Sequence, residues 1–391
     1  MKSMSDAAGR VEGQPMFKIL ARANELAGQG RSILHFEIGE PDFETPLHIA
    51  KAGVEAIKTG DTHYVPSMGI LELRDSVCKY IEREYGFRPK REQVLICPGA
   101  NPIISYAMQA VVNPGEQVIV QDPGFPSYYS AMTFNNIVPN RVPVWEENHF
   151  RMDPVDIKER MNSQTRLIMM NSPQNPTGAV MTKEEVESVY DIAQEEDVFL
   201  LSDEIYGKMT YDVPHHSPIH RDKCNERTIL LNGFSKAYSM TGWRLGYAVG
   251  PADIIEKMGL ILSTEVSCVP PFVQRAGIAA LEGDQGVIAE MMKHFRQRRD
   301  LIVEGLNSLP GVSCIVPGGA FYAFPNVKNT GMTDVEFTNF MLEEAGVATC
   351  PGSYFGGNGA GFVRFSYASS LEAISEAINR MRTALESRKV K

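Results

Sequence analysis

An α/β fold with a second, smaller α+β domain is predicted by three observations along this 391-residue chain. The first is a series of short apolar runs, each ending in a Gly-, Pro- or Asn-rich stretch. They are "QVLIC" before "PGAN", "QVIVQ" before "DPGFP", "RLIMMN" before "SPQNPTG", "VFLL" before "SDEIYG", "TILLN" before "GFSKAYS", and "GYAVG". Continuous rather than alternating runs fit strands buried on both faces, as in a mainly parallel sheet covered by helices. The second is that helical patterns lie between several of these runs, the order of βαβ units. The third is a change of texture near residue 285, where a long helical stretch leads into expected strands "SCIVPG", "FYAFPN" and "GFVRFSYA" and then a last amphipathic helix. The expected division is an N-terminal arm and part of the small domain at 1–44, a large domain at 45–284, and a small C-terminal domain at 285–391.

Individual elements carry their own signals. "MFKILARANELAGQG" reads as a first helix ended by Gly28 or Gly30. "PGAN" closes a strand where a helix starts, and Pro102 suits that helix's first turn. Thr182 with Glu185 three residues on forms a capping box that opens another helix. "KHFRQRR" at 293–299 reads as the solvated face of the long helix.

Composition excludes several classes. Hydrophobic residues make up 43% and charged residues 22%, which suits a large core and excludes disorder. A net charge of −10 without a basic block argues against a nucleic-acid partner. No apolar run reaches membrane-spanning length, so no membrane partner is expected. Six cysteines without C-x-x-C spacing fit reduced thiols in a cytoplasmic protein. "HHSPIH" (His215, His216, His220) follows "YDVP" as a polar loop, without the carboxylate or cysteine partners of a metal site, and no metal is expected. "GGNGAG" at 356–361 precedes a strand instead of joining a strand to a helix, so it lacks the mechanism of a dinucleotide loop.

The chemistry-bearing residues sit at predicted strand ends: Asn175, then Asp203 and Tyr206, then Ser235, Lys236 and Arg244. In α/β folds that edge is where ligands bind. Taken singly, each has a bland reading as a turn, a helix cap or a solvated lysine. In this order, and with the motif "SKAYSMTGWRLG", the chain resembles the pyridoxal-phosphate-dependent aminotransferases of the aspartate aminotransferase family. The likeness runs from "HFEIGEPDFETP" to "GFVRFSYA", nearly the whole chain.

The resemblance implies transfer of an amino group between an L-amino acid and a 2-oxo acid, with pyridoxal 5'-phosphate as cofactor. It implies that Lys236 forms a Schiff base with the cofactor aldehyde and then shuttles a proton. Asp203 would pair with the pyridine nitrogen, and Tyr206 and Asn175 with the phenolic oxygen. Arg244, Ser235 and the backbone of Ala100 and Asn101 would hold the phosphate, and Phe125 would stack on the ring. Pro102 stands where the family usually has Gln, so that side-chain contact is lost. Arg364 would bind the substrate α-carboxylate, with the Gly39 backbone close by. Tyr64 would reach the phosphate of a neighbouring subunit, which implies a homodimer with shared sites.

For the substrate side chain, Gln14, Met16 and Phe17 fall where bacterial aspartate-using relatives place hydroxyl-bearing residues, and Asn101 where some carry a lysine. Nothing visible replaces that charge, so aspartate is expected to be a poor donor beside a neutral or longer-chain amino acid. Another pyridoxal-phosphate reaction in the same fold is the alternative, since the pocket selects the bond broken. A non-enzymatic regulator built on the same fold is disfavoured because no basic recognition helix is present.

Overall fold

The computed structural model describes residues 4–10 and 13–389. After a short strand β1 (Leu34–His35) come β2 (Val94–Cys97), β3 (Gln117–Asp122), β4 (Val138–Pro143), β5 (Thr165–Asn171), β6 (Phe199–Asp203), β7 (Thr228–Gly233) and β8 (Gly246–Val249). Strands β2 to β8 form one sheet in the order β2-β8-β7-β6-β5-β3-β4. Pairing is parallel from β7 through β6, β5 and β3 to β4, while β8 runs antiparallel to both β2 and β7.

The run "GYAVG" is therefore the exception in a mainly parallel sheet. Residues 234–245, which join β7 to β8, form turns instead of a helix. A parallel return needs a crossover of about a dozen residues or more, usually helical. This reversal has a functional consequence. It brings the start of β8, not its end, to the edge where β2, β3, β5, β6 and β7 finish, so Arg244 arrives there from the opposite chain direction.

Alternate residues of the strands enter cores on opposite faces, and both faces are dry. Leu95, Ile229, Leu231, Leu167 and Met169 join one cluster, Val94, Ile96 and Leu230 a second, and Ile168 and Met170 a third. That two-sided burial is why these strands read as unbroken apolar runs. Strand β4 lacks such a run because its first half is solvent-facing.

Two smaller sheets stand apart from the main one. Strand β10 (Val347–Ala348) pairs in parallel with β1, while β11 (Cys350–Pro351), β12 (Val363–Ser366) and β9 (Tyr322–Ala323) form an antiparallel sheet in the order β11-β12-β9. "SCIVPG" is not a strand: Ser313 makes an isolated bridge to Asn326, and Pro317 lacks the N–H that a ladder would need.

The helix Met16–Gly28 ends where expected, Thr182 and Glu185 form a reciprocal capping box, and Pro102 lies in the first turn of Asn101–Val111. "KHFRQRR" departs from expectation. It belongs to the helix Gly286–Asn307, but Phe295, Arg298 and Arg299 are buried rather than solvated. Arg298 grips Asp42 through two bonds of 2.6 and 2.9 Å, and Arg299 bonds Asp212 and Asp300 at 2.6 and 2.8 Å. A guanidinium tolerates burial when its fork is filled in this way.

Candidate active site

A cavity of about 290 Å³ opens at the carboxyl edge of the main sheet. Gly39, Ala100, Asn101, Phe125, Asn175, Asp203, Tyr206, Ser235, Lys236, Arg244 and Arg364 all line it. Tyr64 does not: it is 89% exposed on the surface of the chain.

Each side chain arrives on a strand end. Beyond β2, Gly99 turns at φ +95° and delivers Ala100 and Asn101 to the N-terminus of the helix Asn101–Val111. The positive φ is what favours glycine at residue 99, and a Cβ there would also lie 2.3 Å from the tip of the Arg244 guanidinium, which would have to shift. Gly246 is constrained likewise, since its Cβ would lie 2.7 Å from the Gly99 carbonyl carbon. Arg244 itself sits at φ +53°, an uncommon conformation for a side-chain-bearing residue, and its Nη1 donates to the Thr241 carbonyl at 2.9 Å. Phe125 follows β3 and meets Tyr128 edge-on with ring centroids 5.6 Å apart.

Asn171, at the end of β5, organises the next loop. Its Oδ1 accepts from the Asn175 N–H at 3.0 Å and its Nδ2 donates to the Asp203 carbonyl at 3.0 Å. Asp203 closes β6 almost fully buried. Its carboxylate accepts from the Tyr128 hydroxyl at 2.6 Å and from the Ile205 N–H at 3.1 Å, both neutral donors. Burial pushes its pKa up to about 6, against the opposing pull of those two hydrogen bonds.

Lys236 follows β7 and donates from Nζ to the Gly39 carbonyl at 2.5 Å. Burial lowers its pKa to about 8. The Glu40 carboxylate opposes that shift, while the Arg364 and Arg244 guanidiniums reinforce it. Arg364 comes from β12 in the small antiparallel sheet and is only 1% exposed. Nη1 donates to Asn175 Oδ1 at 3.0 Å and Nη2 to the Glu37 carbonyl at 2.5 Å, while Nε has no partner among the described residues. The guanidinium lies between the rings of Tyr322 and Phe355, 4.7 and 4.8 Å from their centroids.

Sequence reasoning missed Tyr128, Asn171, Gly99 and Tyr322. Tyr128 had a visible signal, three residues past Phe125 in "DPGFPSYY"; Tyr322 had none, because its partner Tyr206 lies 116 residues away. The histidine loop also needs correction. His215 is not merely solvated: its Nε2 bonds the fully buried Glu204 carboxylate at 2.7 Å, which also accepts from Tyr85 at 2.9 Å and Ser202 at 2.8 Å. The carboxylate partner thus exists, on another element. Among the described residues, however, no three His, Cys, Asp or Glu side chains converge as a metal site would require. No helix among them is long and apolar enough to cross a membrane.

This geometry has relatives. The family model for class I and II aminotransferases matches residues 31–381. An aspartate aminotransferase of Pyrococcus horikoshii is 40% identical over 93% of this chain and 94% of its own length. An aromatic-amino-acid aminotransferase of Thermococcus litoralis is 38% identical over 99% of this chain and all of its own. The solved structure of a Thermus thermophilus aspartate aminotransferase with maleate superposes with a TM-score of 0.94 at 34% identity, covering 98% of this chain and 100% of that one. The chain belongs to the class I and II aminotransferase family, enzymes that use pyridoxal 5'-phosphate to move an amino group between an amino acid and a 2-oxo acid.

Proposed function

We propose that Lys236 is the amine that carries the cofactor and afterwards moves the substrate Cα proton, with the other cavity residues holding cofactor and amino acid around it. One observation carries this reading. Among the described residues, a depressed amine, a buried carboxylate bonded only to neutral donors, and a buried guanidinium without a carboxylate partner share one cavity.

The residues present fit the cofactor. Arg244, the Ser235 hydroxyl and the first amides of the helix Asn101–Val111 make an anion cradle for its phosphate. Asp203 offers an unneutralised carboxylate for its ring nitrogen, Phe125 a face for its ring, and Tyr206 and Asn175 polar groups for its ring oxygen. Bound there, the cofactor supplies an aldehyde for amines and a conjugated ring that accepts electrons. With a pKa near 8, the Lys236 amine is partly neutral at physiological pH and can both take and return a proton. Arg364 keeps Nε free after two bonds to neutral oxygens, and this donor supports its role as the binder of the substrate α-carboxylate.

We also propose that the working unit is a homodimer of chains divided at 1–44, 45–284 and 285–391, with Tyr64 completing the partner's phosphate site. Its 89% exposure supports that role, as do exposed Leu47, Val54 and Ile57 on one neighbouring helix. Six free thiols support a reducing, cytoplasmic setting. For the substrate side chain, the arm contributes Gln14, Met16 and Phe17, with Gln14 tied to Ser127 at 3.0 Å. Among the described lining residues the cations are Lys236, Arg244 and Arg364, each already assigned above to the cofactor or the α-carboxylate, so a neutral or longer-chain donor suits the pocket better than aspartate.

Five outcomes test these assignments. Borohydride reduction of the holoenzyme followed by peptide mapping should place the label on Lys236; label on another lysine would sink the mechanism. Asp203→Asn should cost turnover on the order of 10²-fold or more, because the charge opposite the ring nitrogen is gone. The same substitution should stabilise the cofactor-free protein. The native carboxyl pKa near 6 exceeds the ordinary 3.8, so wild type loses stability relative to the variant as pH rises from about 4 to above 6. Denaturant unfolding at pH 4.5 and 8 should show that gap widening toward a limit of about 3 kcal/mol; a constant gap would remove the buried ionisation.

Mixed dimers of Lys236→Ala chains and a Tyr64→Phe chain that is itself impaired should regain activity at one site each. No recovery in a verified heterodimer would mean that each site is built from one chain. In a donor panel, aspartate ranking first in kcat/KM by tenfold would show a partner for its distal carboxylate.

A further inference from the structure

We propose that Tyr322 is a positioning residue for the transfer reaction, donating a hydrogen bond to the Tyr206 hydroxyl and so directing the Tyr206 proton toward the ring oxygen of the cofactor. This rests on the assignment of Tyr206 to that oxygen. The two hydroxyls are 2.7 Å apart, and both residues are buried, Tyr206 at 3% exposure and Tyr322 at 1%. A phenol has one proton to give. Tyr206 cannot donate it both to Tyr322 and to a ring oxygen, so in the working site the proton of the shared bond must come from Tyr322.

Two features of the site favour that polarity. The Arg364 guanidinium lies over the Tyr322 ring, 4.7 Å from its centroid, and a cation there stabilises negative charge on Tyr322 and strengthens it as a donor. The Tyr322 oxygen is also wedged against Gly39: a Cβ on that glycine would lie 2.1 Å from it. The hydroxyl thus occupies the space a side chain at residue 39 would need, and the edge-on packing of the two rings, 5.7 Å apart at 83°, holds it on Tyr206. Burial raises the pKa of both hydroxyls, and raises Tyr206 well above the ordinary phenol value.

The charged groups around the pair are Arg364, Asp203 and Lys236, whose Nζ lies 5.9 Å from the Tyr206 ring centroid. All three remain in a Tyr322→Phe protein, which also keeps the aromatic face under Arg364. The substitution removes the hydroxyl and nothing else. Without that donor, Tyr206 is a weaker and less directed donor, the anionic ring oxygen is less stabilised, and the bound cofactor takes up its proton at higher pH.

The test is a pH titration of the visible absorbance of the holoenzyme without substrate, on wild type, Tyr322→Phe, Tyr206→Phe and the double variant. The midpoint should rise by about 0.5 pH unit or more in Tyr322→Phe, the scale of one lost hydrogen bond. It should rise further in Tyr206→Phe, and the double variant should match Tyr206→Phe, because Tyr322 acts through Tyr206. A shift in Tyr206→Phe with none in Tyr322→Phe overturns the proposal alone. Equal shifts from Tyr322→Phe in both backgrounds overturn it too, since the hydroxyl would then act by another route. If neither single variant shifts, the assignment of Tyr206 fails and the proposal fails with it. Gly39→Ala pushes the same hydroxyl aside and serves if Tyr322→Phe does not fold: its midpoint should also rise, and an unchanged midpoint counts against the proposal.

Discussion

A buried guanidinium without a counter-ion among the described residues is the constraint around which this cavity is built. Arg364 is 1% exposed, and its partners are the oxygens of Asn175 and Glu37 and two aromatic faces. Removing such a charge from water costs on the order of several kcal/mol, which dipoles and rings recover only in part. The unpaired Nε marks what is left over. A fold keeps such a charge only if the rest of the structure is stable enough to carry it, and the two-sided cores of the main sheet supply that stability.

The same economy explains why Asp203 and Arg364 do not neutralise one another. Paired directly, they would satisfy each other and leave nothing for a ligand. Instead each is held by neutral groups, Asp203 by Tyr128 and a backbone amide, Arg364 by a carboxamide and a carbonyl. Lys236 lies in the field of both. The guanidiniums lower its pKa while Asp203 and Glu40 raise it, and burial tips the balance to about 8. The proton transfer proposed for Lys236 is best served by a pKa near that value.

Much of this was legible from residues that announce themselves locally. Apolar runs ending in "SPQNPTG", "SDEIY" and "GFSKAYS" gave both the sheet and the edge on which Asn175, Asp203 and Lys236 stand. What stayed hidden depends on partners far along the chain. Tyr128 reaches Asp203 across 75 residues, and Arg298 reaches Asp42 across 256, so a helix face rich in arginine looked solvated when it was buried. The antiparallel course of β8 was hidden for a different reason. Burial on both faces produces the same apolar run in either direction, and only the helix-free connection at 234–245 distinguishes them.

The cavity is also assembled from two sheets, and this bears on how its geometry is kept. Lys236, Asp203, Tyr206 and Asn175 follow strands of the main sheet, whereas Arg364 and Tyr322 stand on β12 and β9 of the small antiparallel one. No single rigid element therefore fixes the distance from the Arg364 guanidinium to the Lys236 amine. Polar bonds inside the cavity cross between the two sheets, Arg364 to Asn175 and Tyr322 to Tyr206, and Lys236 is tied to Gly39 in the segment after β1. A site held within about 0.5 Å of productive geometry needs such supports. Here the supporting bonds are made by the functional residues themselves, so a ligand that competes for one of them acts on the alignment of all the others.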